Sequence, residues 1–247
     1  MVSYQVIQGN AEYNLAGIQD NSVDCVCCSP PYKNRDGFSM DLMQNVFANT
    51  YRVMKPGALC FINFGHLVDF KSRGFRVVIL LEDIIGFQFL DTIMWEKTGH
   101  FTPLRDHLNN LTEFVFMFSK GDPNPLDRLA VGIPYKDKSN VSRYGHGKDL
   151  RCAGNIIRVG YETVSGSLKK TRHKDGYPIG VPLYCLKLAG LQPGSTVCDP
   201  FSGYGTTGEA ALTLGHNYLG FEIDQEDVDV SLERLESVRN ARLLSKT

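Results

Sequence analysis

Two short segments of the chain carry residues whose types and order could hold a ligand. The first, Ser29-Pro30-Pro31-Tyr32, directly follows the apolar residues 25–28. Because proline cannot donate a backbone hydrogen bond and its φ angle is fixed, a strand must end here in a rigid corner. The Ser29 hydroxyl can accept a hydrogen bond and the Tyr32 ring can stack on a flat ligand. The segment is therefore either a strand-ending turn or a site that holds a flat ring.

The second segment, residues 203–208, reads Gly-Tyr-Gly-Thr-Thr-Gly and matches the pattern G-x-G-x-x-G between a predicted strand and a predicted helix. Glycine lets the backbone approach a ligand closely, and the start of the helix offers free N–H groups. Glu222 ends the next predicted strand and could accept hydrogen bonds from ribose hydroxyls. By itself this pattern fits NAD, FAD or S-adenosylmethionine (SAM).

The position of the glycine turn restricts the fold. Only 39 residues follow Gly208, whereas a dinucleotide-binding fold normally continues through several more strand–helix units after this turn. Those units could only come from the N-terminal half of the chain. The sequence therefore predicts a circular permutation, in which the cofactor loop comes last and most of the sheet comes first.

The hydrophobic pattern supplies the elements that would position these segments. Strands are predicted at residues 4–10, 25–28, 58–65, 89–97, 112–120, 196–199 and 218–223. Helices are predicted at residues 39–55 (ended by Pro56-Gly57), 75–87, 180–190, 206–214 and 225–244, with a short helix and loop after residue 10. Alternation of strands and helices predicts an α/β fold, with a mainly parallel twisted sheet covered by helices on both faces.

The composition indicates an ordinary soluble globular protein, with 43% hydrophobic and 21% charged residues. The N-terminal residues lack the pattern of a secretory signal, and the longest apolar run is too short to cross a bilayer. Seven cysteines, an odd number and mostly in apolar surroundings, predict reduced, buried thiols in a cytoplasmic protein, without disulfides or a metal site.

Charge is distributed unevenly along the chain. Residues 120–174 contain 12 Lys/Arg and 5 Asp/Glu, whereas the rest of the chain contains 14 and 22 of the totals of 26 and 27. A basic block within an acidic chain predicts a surface that binds a polyanion, although a solvated loop region would have the same composition. Residues 121–174 are also rich in Gly, Pro, Asn and Ser, which predicts an insert of loops and short elements.

The order of the two motifs resembles the β-class DNA amino-methyltransferases, SAM-dependent enzymes of bacteria, archaea and phages. In that family a catalytic motif like residues 29–32 comes first, a target-recognition region follows, and a SAM motif like residues 199–207 (DPFSGYGTT) comes last. The resemblance covers most of the chain, including residues 94–97, 112–120 and 176–190. It implies a Rossmann-like SAM-methyltransferase fold, with residues 1–120 and 175–247 as catalytic domain and 121–174 as a target-recognition insert.

The resemblance also implies the site residues. The catalytic corner would be Ser29, Pro30, Pro31 and Tyr32. SAM would be bound by Asn10, Cys28, Asp199, Pro200, Phe201, Gly203, Gly205, Thr206, Thr207, Glu222 and Ile223. From their charge and position, not from the resemblance, the candidate DNA contacts are Lys33, Arg35, Lys136, Lys138, Arg143, Lys148, Arg151, Lys169, Lys170 and Arg172, with solvated loop charges as the alternative. Enzymes of this family are often dimers and many belong to restriction–modification systems, so a homodimer and a cognate restriction endonuclease are open as partners beside double-stranded DNA.

The implied chemistry is methyl transfer to the exocyclic amino group of a base flipped out of the duplex. Ser29 and the Pro30 carbonyl would accept hydrogen bonds from that amino group, and Tyr32 would stack on the base. In this family Ser at this position accompanies cytosine N4 and Asp accompanies adenine N6, so Ser29 favours cytosine N4, with adenine N6 next.

Two positions depart from the family pattern. Asn10 stands where an acid usually receives the adenine amine of SAM, and Val181-Pro182 replaces a Lys-Pro pair. Three functions remain as alternatives to a DNA methyltransferase. They are an RNA or small-molecule methyltransferase, an NAD-dependent oxidoreductase and a non-catalytic DNA-binding protein. Trp95 could border the base pocket or belong to the core. His66 follows the predicted strand 58–65, where a ligand crevice is expected, or is an incidental loop histidine.

Overall fold

The computed structural model describes residues 2–32, 37–65, 72–98, 108–145, 147–160 and 177–244. Eight strands of this described chain form one sheet: β1 (Tyr4–Gln8), β2 (Val23–Cys28), β3 (Met54–Gly65), β4 (Gln88–Thr98), β5 (Thr112–Ser119), β6 (Ile156–Gly160), β7 (Thr196–Asp199) and β8 (Asn217–Glu222). Their order across the sheet is β1-β8-β7-β2-β3-β5-β4-β6.

The sheet is mainly parallel, as the sequence predicted. Every neighbouring pair is parallel except the two that include β5, which runs antiparallel to both β3 and β4. The late strands β7 and β8 lie between β1 and β2. This insertion confirms the predicted permutation, because it brings the end of β7, where the glycine turn begins, next to the end of β2, where residues 29–32 begin.

Helices cover both faces of the sheet. They are α1 (Ala11–Asn14, followed by a 3₁₀ turn at Leu15–Gly17), α2 (Met40–Val53), α3 (Arg73–Ile79, continued by a π-helical turn at Leu80–Ile85), α4 (Ser139–Tyr144), α5 (Gly180–Leu188), α6 (Thr206–Leu214) and α7 (Gln225–Leu244). None of the helices within the described ranges is both long and apolar enough to span a membrane.

Two hydrophobic clusters form the core, one on each face of the sheet. Alternate residues of β2 divide between them, since Cys25 and Cys27 pack with α5, α6 and α7, whereas Val26 and Cys28 pack with α2 and α3. A strand buried on both faces is expected in a parallel sheet covered by helices. Six of the seven cysteines are buried free thiols and Cys152 is exposed.

Two details differ from the sequence prediction. Helix α2 ends at Val53, so Pro56-Gly57 does not stop it but lies inside β3, where Gly57 has a φ of +78°. Within 121–174, residues 156–160 form β6 and pair in parallel with β4, from Met94–Ile156 to Thr98–Gly160. The region therefore contributes an edge strand to the main sheet, in addition to the short helix α4.

Candidate active site

A cleft of about 1110 Å³ opens at the edge of the sheet where the parallel strands end, not along the side of an outer strand. The carboxyl ends of β2, β3, β4, β7 and β8 meet at this edge, together with the amino end of the reversed strand β5. In open α/β sheets, ligands bind outside the carboxyl ends of the strands. Residues 29–32 after β2 and residues 200–204 after β7 both line the cleft, so the two motifs come together although about 170 residues separate them.

Hydrogen bonds hold the corner at residues 29–32. The Ser29 Oγ and the Tyr32 hydroxyl are 2.5 Å apart, and Asn63 Nδ2 donates to the Tyr32 hydroxyl at 2.7 Å. Arg73 Nη1 donates to the Tyr32 carbonyl at 2.7 Å. Tyr32 is thereby held by its hydroxyl and by its backbone, while its ring lines the cleft.

The ring of Tyr32 rests on the end of β3. Its centroid lies 5.0 Å from that of Phe64. A Cβ atom added at Gly65 would lie 2.5 Å from the Tyr32 Cε2, closer than carbon atoms can approach. Gly65 is therefore required where the tyrosine ring crosses the strand end.

Three polar side chains beside this corner were missed by sequence analysis. Asn63 is 1% exposed and donates through Nδ2 to Glu113 Oε2 at 2.9 Å. The other oxygen, Glu113 Oε1, pairs with Lys97 Nζ at 2.6 Å. Lys97 and Glu113 both line the cleft. A polar residue inside an otherwise apolar strand, such as Asn63 in β3, is the sequence signal that could have identified them.

The glycine turn lies opposite, before α6. Gly203 and Gly205 have φ angles of +48° and +73°, a region that side chains with a Cβ rarely adopt. A Cβ at Gly205 would also overlap the Ser231 Oγ of α7 and lie 3.2 Å from its Cβ. Gly205 does not line the cleft; it brings the start of α6 close to α7, whereas Gly203 and Thr206 line the cleft itself.

Glu222 braces this turn from the end of β8. Its Oε2 accepts from the Gly203 N–H at 2.8 Å, and its Oε1 accepts from Ile223 and Asp224 N–H at 2.8 and 3.0 Å. Glu222 and Ile223 both line the cleft. The carboxylate therefore orients the turn. Because each oxygen can accept two hydrogen bonds and Oε1 already accepts two, Oε2 retains one lone pair for a hydroxyl-bearing ligand.

Four residues assigned to the cofactor by sequence lie behind the cleft wall. Cys28, Asp199, Gly205 and Thr207 are absent from the lining, and the Asp199 side chain is buried. Asp199 accepts from Phe201 N–H at 2.9 Å and from the Thr207 hydroxyl at 2.6 Å. These residues can position the loop that carries Pro200 and Phe201, which do line the cleft.

Burial raises the pKa of Asp199 from the ordinary value of 3.8 to about 7, although its hydrogen bonds from Thr207 and Phe201 oppose this shift. At a pH between these two pKa values, Asp199 is ionised in the unfolded chain and protonated in the folded chain. The folded state therefore binds the extra proton, and its stability falls as the pH rises through this window and levels off above pH 7.

Asp199→Asn should remove this pH dependence. We expect the wild-type free energy of unfolding to fall by about 2 kcal/mol more than that of the variant between pH 5 and pH 8. Asparagine can keep the local bonds, because the Thr207 hydroxyl can accept from it and donate to the Tyr177 hydroxyl 2.5 Å away. Urea unfolding at both pH values measures the difference, and parallel curves for the two proteins would contradict the assignment.

Asn10 lines the cleft at the start of α1. Its Oδ1 accepts from the Glu12 N–H at 2.9 Å and so caps the helix. Glu12 lies on the cleft wall as well, and the Asn10 amide donates to its carboxylate at 3.4 Å. The site thus has a carboxylate two residues after the position where the family pattern has one.

The basic residues predicted to contact DNA divide into two groups. Lys136, Lys138, Arg143 and Lys148 are exposed, Arg151 is half-buried, and Lys138 forms an ion pair with Asp149. Lys33, Arg35, Lys169, Lys170 and Arg172, together with His66, lie outside the described residues.

Trp95 belongs to the hydrophobic core and also reaches the cleft wall. Its side chain is 1% exposed and packs in the core, and its Nε1 donates to the Val159 carbonyl at 2.8 Å. It also lines the cleft beside Lys97.

Comparison with known proteins agrees with this geometry. A family model described as DNA methylase matches residues 23–233. The chain is 28% identical to the orphan methyltransferase M.BamHII of Bacillus amyloliquefaciens, over 89% of this chain and 91% of that protein. It is 27% identical to the DNA adenine methyltransferase YhdJ of Escherichia coli, over 94% and 82%. The PvuII DNA methyltransferase (cytosine-N4-specific) has a similar fold, with a TM-score of 0.76 and 19% identity over 97% of this chain and 92% of that chain.

Proposed function

The chain belongs to the family of DNA methylases that act on adenine N6 or cytosine N4, and on this premise we propose that it methylates cytosine N4 at a specific DNA sequence. As a member of this family it is a SAM-dependent DNA amino-methyltransferase. Membership removes the alternative of an NAD-dependent oxidoreductase. The observation that carries the choice of cytosine is Ser29, which places a hydroxyl rather than a carboxylate on the cleft wall.

The residues at the edge of the sheet fit SAM. The Gly203 turn, Glu222, Phe201 and Asn10 together offer a close backbone approach, carboxylate oxygens, an aromatic face and an amide on one side of a cleft with room for a second ligand. Glu12 can provide the negative charge that Asn10 lacks for an adenine amine. SAM supplies a methyl group made electrophilic by its sulfonium.

The corner at residues 29–32 would hold the base on the other side. The lone pair of an exocyclic amino group is delocalised into the ring, so the nitrogen attacks readily only when its N–H groups are held by acceptors. Asn63 donates to the Tyr32 hydroxyl, which can also accept from Ser29. In that arrangement the Ser29 Oγ, which also accepts a long hydrogen bond from Asn63 Nδ2 at 3.4 Å, keeps a lone pair for the amino group of the base. The Pro30 carbonyl, fixed by the diproline, supplies the second acceptor.

Adenine N6 is the second candidate, and the similarity to YhdJ favours it. The corner binds an amino group next to a ring nitrogen, and adenine and cytosine share that feature. The identity of residue 29 weighs toward cytosine because a neutral hydroxyl replaces the acid that accompanies adenine in the family.

Transfer of label from methyl-labelled SAM tests the class of substrate. The purified protein is incubated with unmethylated phage DNA, with RNA, or without polymer, and label is counted in the recovered polymer. We expect incorporation into DNA alone. Equal or greater incorporation into RNA would overturn the choice of DNA, and absence of incorporation into both would overturn the proposed activity.

The exposed cations Lys136, Arg143 and Lys148 are proposed to contact DNA phosphates. Replacing all three by alanine should raise the KM for DNA with little change in kcat, since they lie on the surface and not in the cleft lining. Each lost phosphate contact should reduce the slope of log K against log salt by about 1. Lys187→Ala, an exposed lysine outside the basic block, is the control. An unchanged salt slope in the triple variant would contradict a phosphate role.

A further inference from the structure

The ion pair of Lys97 and Glu113 is buried beside the proposed base site, and neither residue takes part in the proposed methyl transfer. Lys97 Nζ and Glu113 Oε1 are 2.6 Å apart, and their side chains are only 9% and 11% exposed. Removing two charges from water costs several kcal/mol per ion, so such a pair is seldom a source of stability. An ion pair that is both buried and on the wall of a ligand cleft suggests a binding role.

Strand register explains why the pair lies at this edge. β4 runs parallel to β3, so Lys97 is near its carboxyl end, whereas β5 is reversed and carries Glu113 near its amino end. Glu113 lies opposite Gly65 of β3 on one side and opposite Trp95 of β4 on the other. The reversed strand thereby brings the pair to the strand end that supports Tyr32.

Asn63 connects the pair to the catalytic corner. Glu113 uses one oxygen for Lys97 and the other for Asn63 Nδ2, at 2.9 Å. The same Nδ2 is 2.7 Å from the Tyr32 hydroxyl and 3.4 Å from the Ser29 Oγ. A continuous polar chain therefore fixes the position of the Lys97 ammonium relative to the hydroxyl proposed to hold the amino group.

Lys97 has donors left over. Of its three N–H groups, one is taken by Glu113, and the face of the Trp95 ring lies 5.8 Å from Nζ. Within the part of the chain that the structure describes, no acceptor is found for the other two. A donor on this wall suits a flipped base that has an acceptor beside its amino group.

Resting on the proposed function, we infer that Lys97 donates a hydrogen bond to the ring nitrogen next to the target amino group, which is N3 in cytosine or N1 in adenine. Glu113 and Asn63 are positioning residues that hold the ammonium at the correct place. Thymine and uracil carry an N–H at the corresponding nitrogen, so they would oppose the lysine. Lys97 is thus a specificity-determining residue that selects aminated bases.

The experiment removes the acceptor from the base and the donor from the protein. The wild-type enzyme is used first to map one methylated site in phage DNA, and duplexes are then made with that cytosine or with 3-deazacytosine, which has C–H in place of N3. If adenine is the modified base, 1-deazaadenine serves in the same way. The protein variant is Lys97→Met with Glu113→Gln, which leaves no unpaired buried charge.

We expect kcat/KM of the wild type to fall about 10- to 100-fold on the deaza duplex, the usual effect of losing a hydrogen bond to a charged group. The double variant should be slow on cytosine and lose at most about threefold more on the analogue. A variant of the Lys55–Asp24 ion pair, Lys55→Met with Asp24→Asn, makes the same charge change outside the cleft lining and should behave as the wild type does.

Equal losses for the wild type and the double variant would overturn the inference, since the analogue would then act only through its own altered reactivity. Melting curves and SAM binding report whether the variant is folded. If the double variant is not folded, Lys97→Leu with Glu113→Gln replaces it, and its loss of kcat/KM on the deaza duplex is compared with that of the wild type in the same way. A loss of kcat/KM below threefold for the wild type on the deaza duplex overturns the inference without any variant. A wild type that methylates neither base refutes the proposed function instead.

Discussion

Ser29→Ala should slow methyl transfer by about 10²- to 10³-fold, the range observed when one positioned hydrogen-bonding group is removed from a reaction centre. The variant loses the hydroxyl that would accept from the amino group, while the cofactor side of the cleft is unchanged. Affinity for SAM should therefore remain within about twofold of wild type. Single-turnover transfer from labelled SAM measures the first quantity, and calorimetric titration with SAM measures the second.

Ser39→Ala is the matched control for this result. Ser39 also lines the cleft, but its hydroxyl accepts from the Leu42 N–H at 3.0 Å and caps α2. Its removal should cost about 1 kcal/mol of stability with little effect on the rate of transfer. If Ser29→Ala transferred methyl groups at the wild-type rate, Ser29 would have no part in the mechanism.

Gly205→Ala should lower the affinity for SAM by about tenfold or more and reduce the melting temperature. Alanine is unfavourable at a φ of +73°, and its Cβ would overlap the side chain of Ser231, so α6 and the turn before it must move away from α7. A local strain of about 1–3 kcal/mol is enough for a change of this size. Differential scanning calorimetry and SAM titration measure the two effects.

Gly194→Ala is the control that separates the backbone strain of a positive φ from the contact with Ser231 in Gly205→Ala. Gly194 has a φ of +84°, but no atom lies within 4 Å of the position of a Cβ, and it is not part of the cleft wall. This variant should show the backbone cost alone and bind SAM normally. Equal SAM affinity in the two variants would mean that the close packing of Gly205 on Ser231 does not shape the cofactor site.

The circular permutation, with the cofactor loop last and most of the sheet first, could be predicted from sequence, and with it the meeting of the two motifs. The diproline after Cys28 marks a strand end, and the glycine turn at residues 203–208 marks another. Parallel strands end at the same edge of a sheet, so the two motifs meet if the strands before them are neighbours. The late position of the glycine turn indicates that they are, because a permuted sheet places β7 beside β2.

The buried network could not be predicted because it depends on strand pairing. Asn63, Lys97 and Glu113 lie in three different strands, and their meeting requires β5 to be reversed with Glu113 opposite Trp95. Sequence patterns locate strands, but a shift of register by one residue would turn Glu113 to the other face. Asp199 and Thr207 match the SAM motif in sequence. The motif does not show that they lie behind the cleft wall, because that depends on how the loop folds.

The identity of the methylated nucleoside decides whether the Ser29 corner holds the amino group of cytosine. Unmethylated phage DNA is incubated with the enzyme and SAM, digested to nucleosides, and separated by liquid chromatography with mass detection, with Ser29→Ala as the parallel control. We expect N4-methylcytosine from the wild-type reaction and little of it from the variant. N6-methyladenine or 5-methylcytosine as the product would contradict the assignment of the Ser29 corner to the amino group of cytosine.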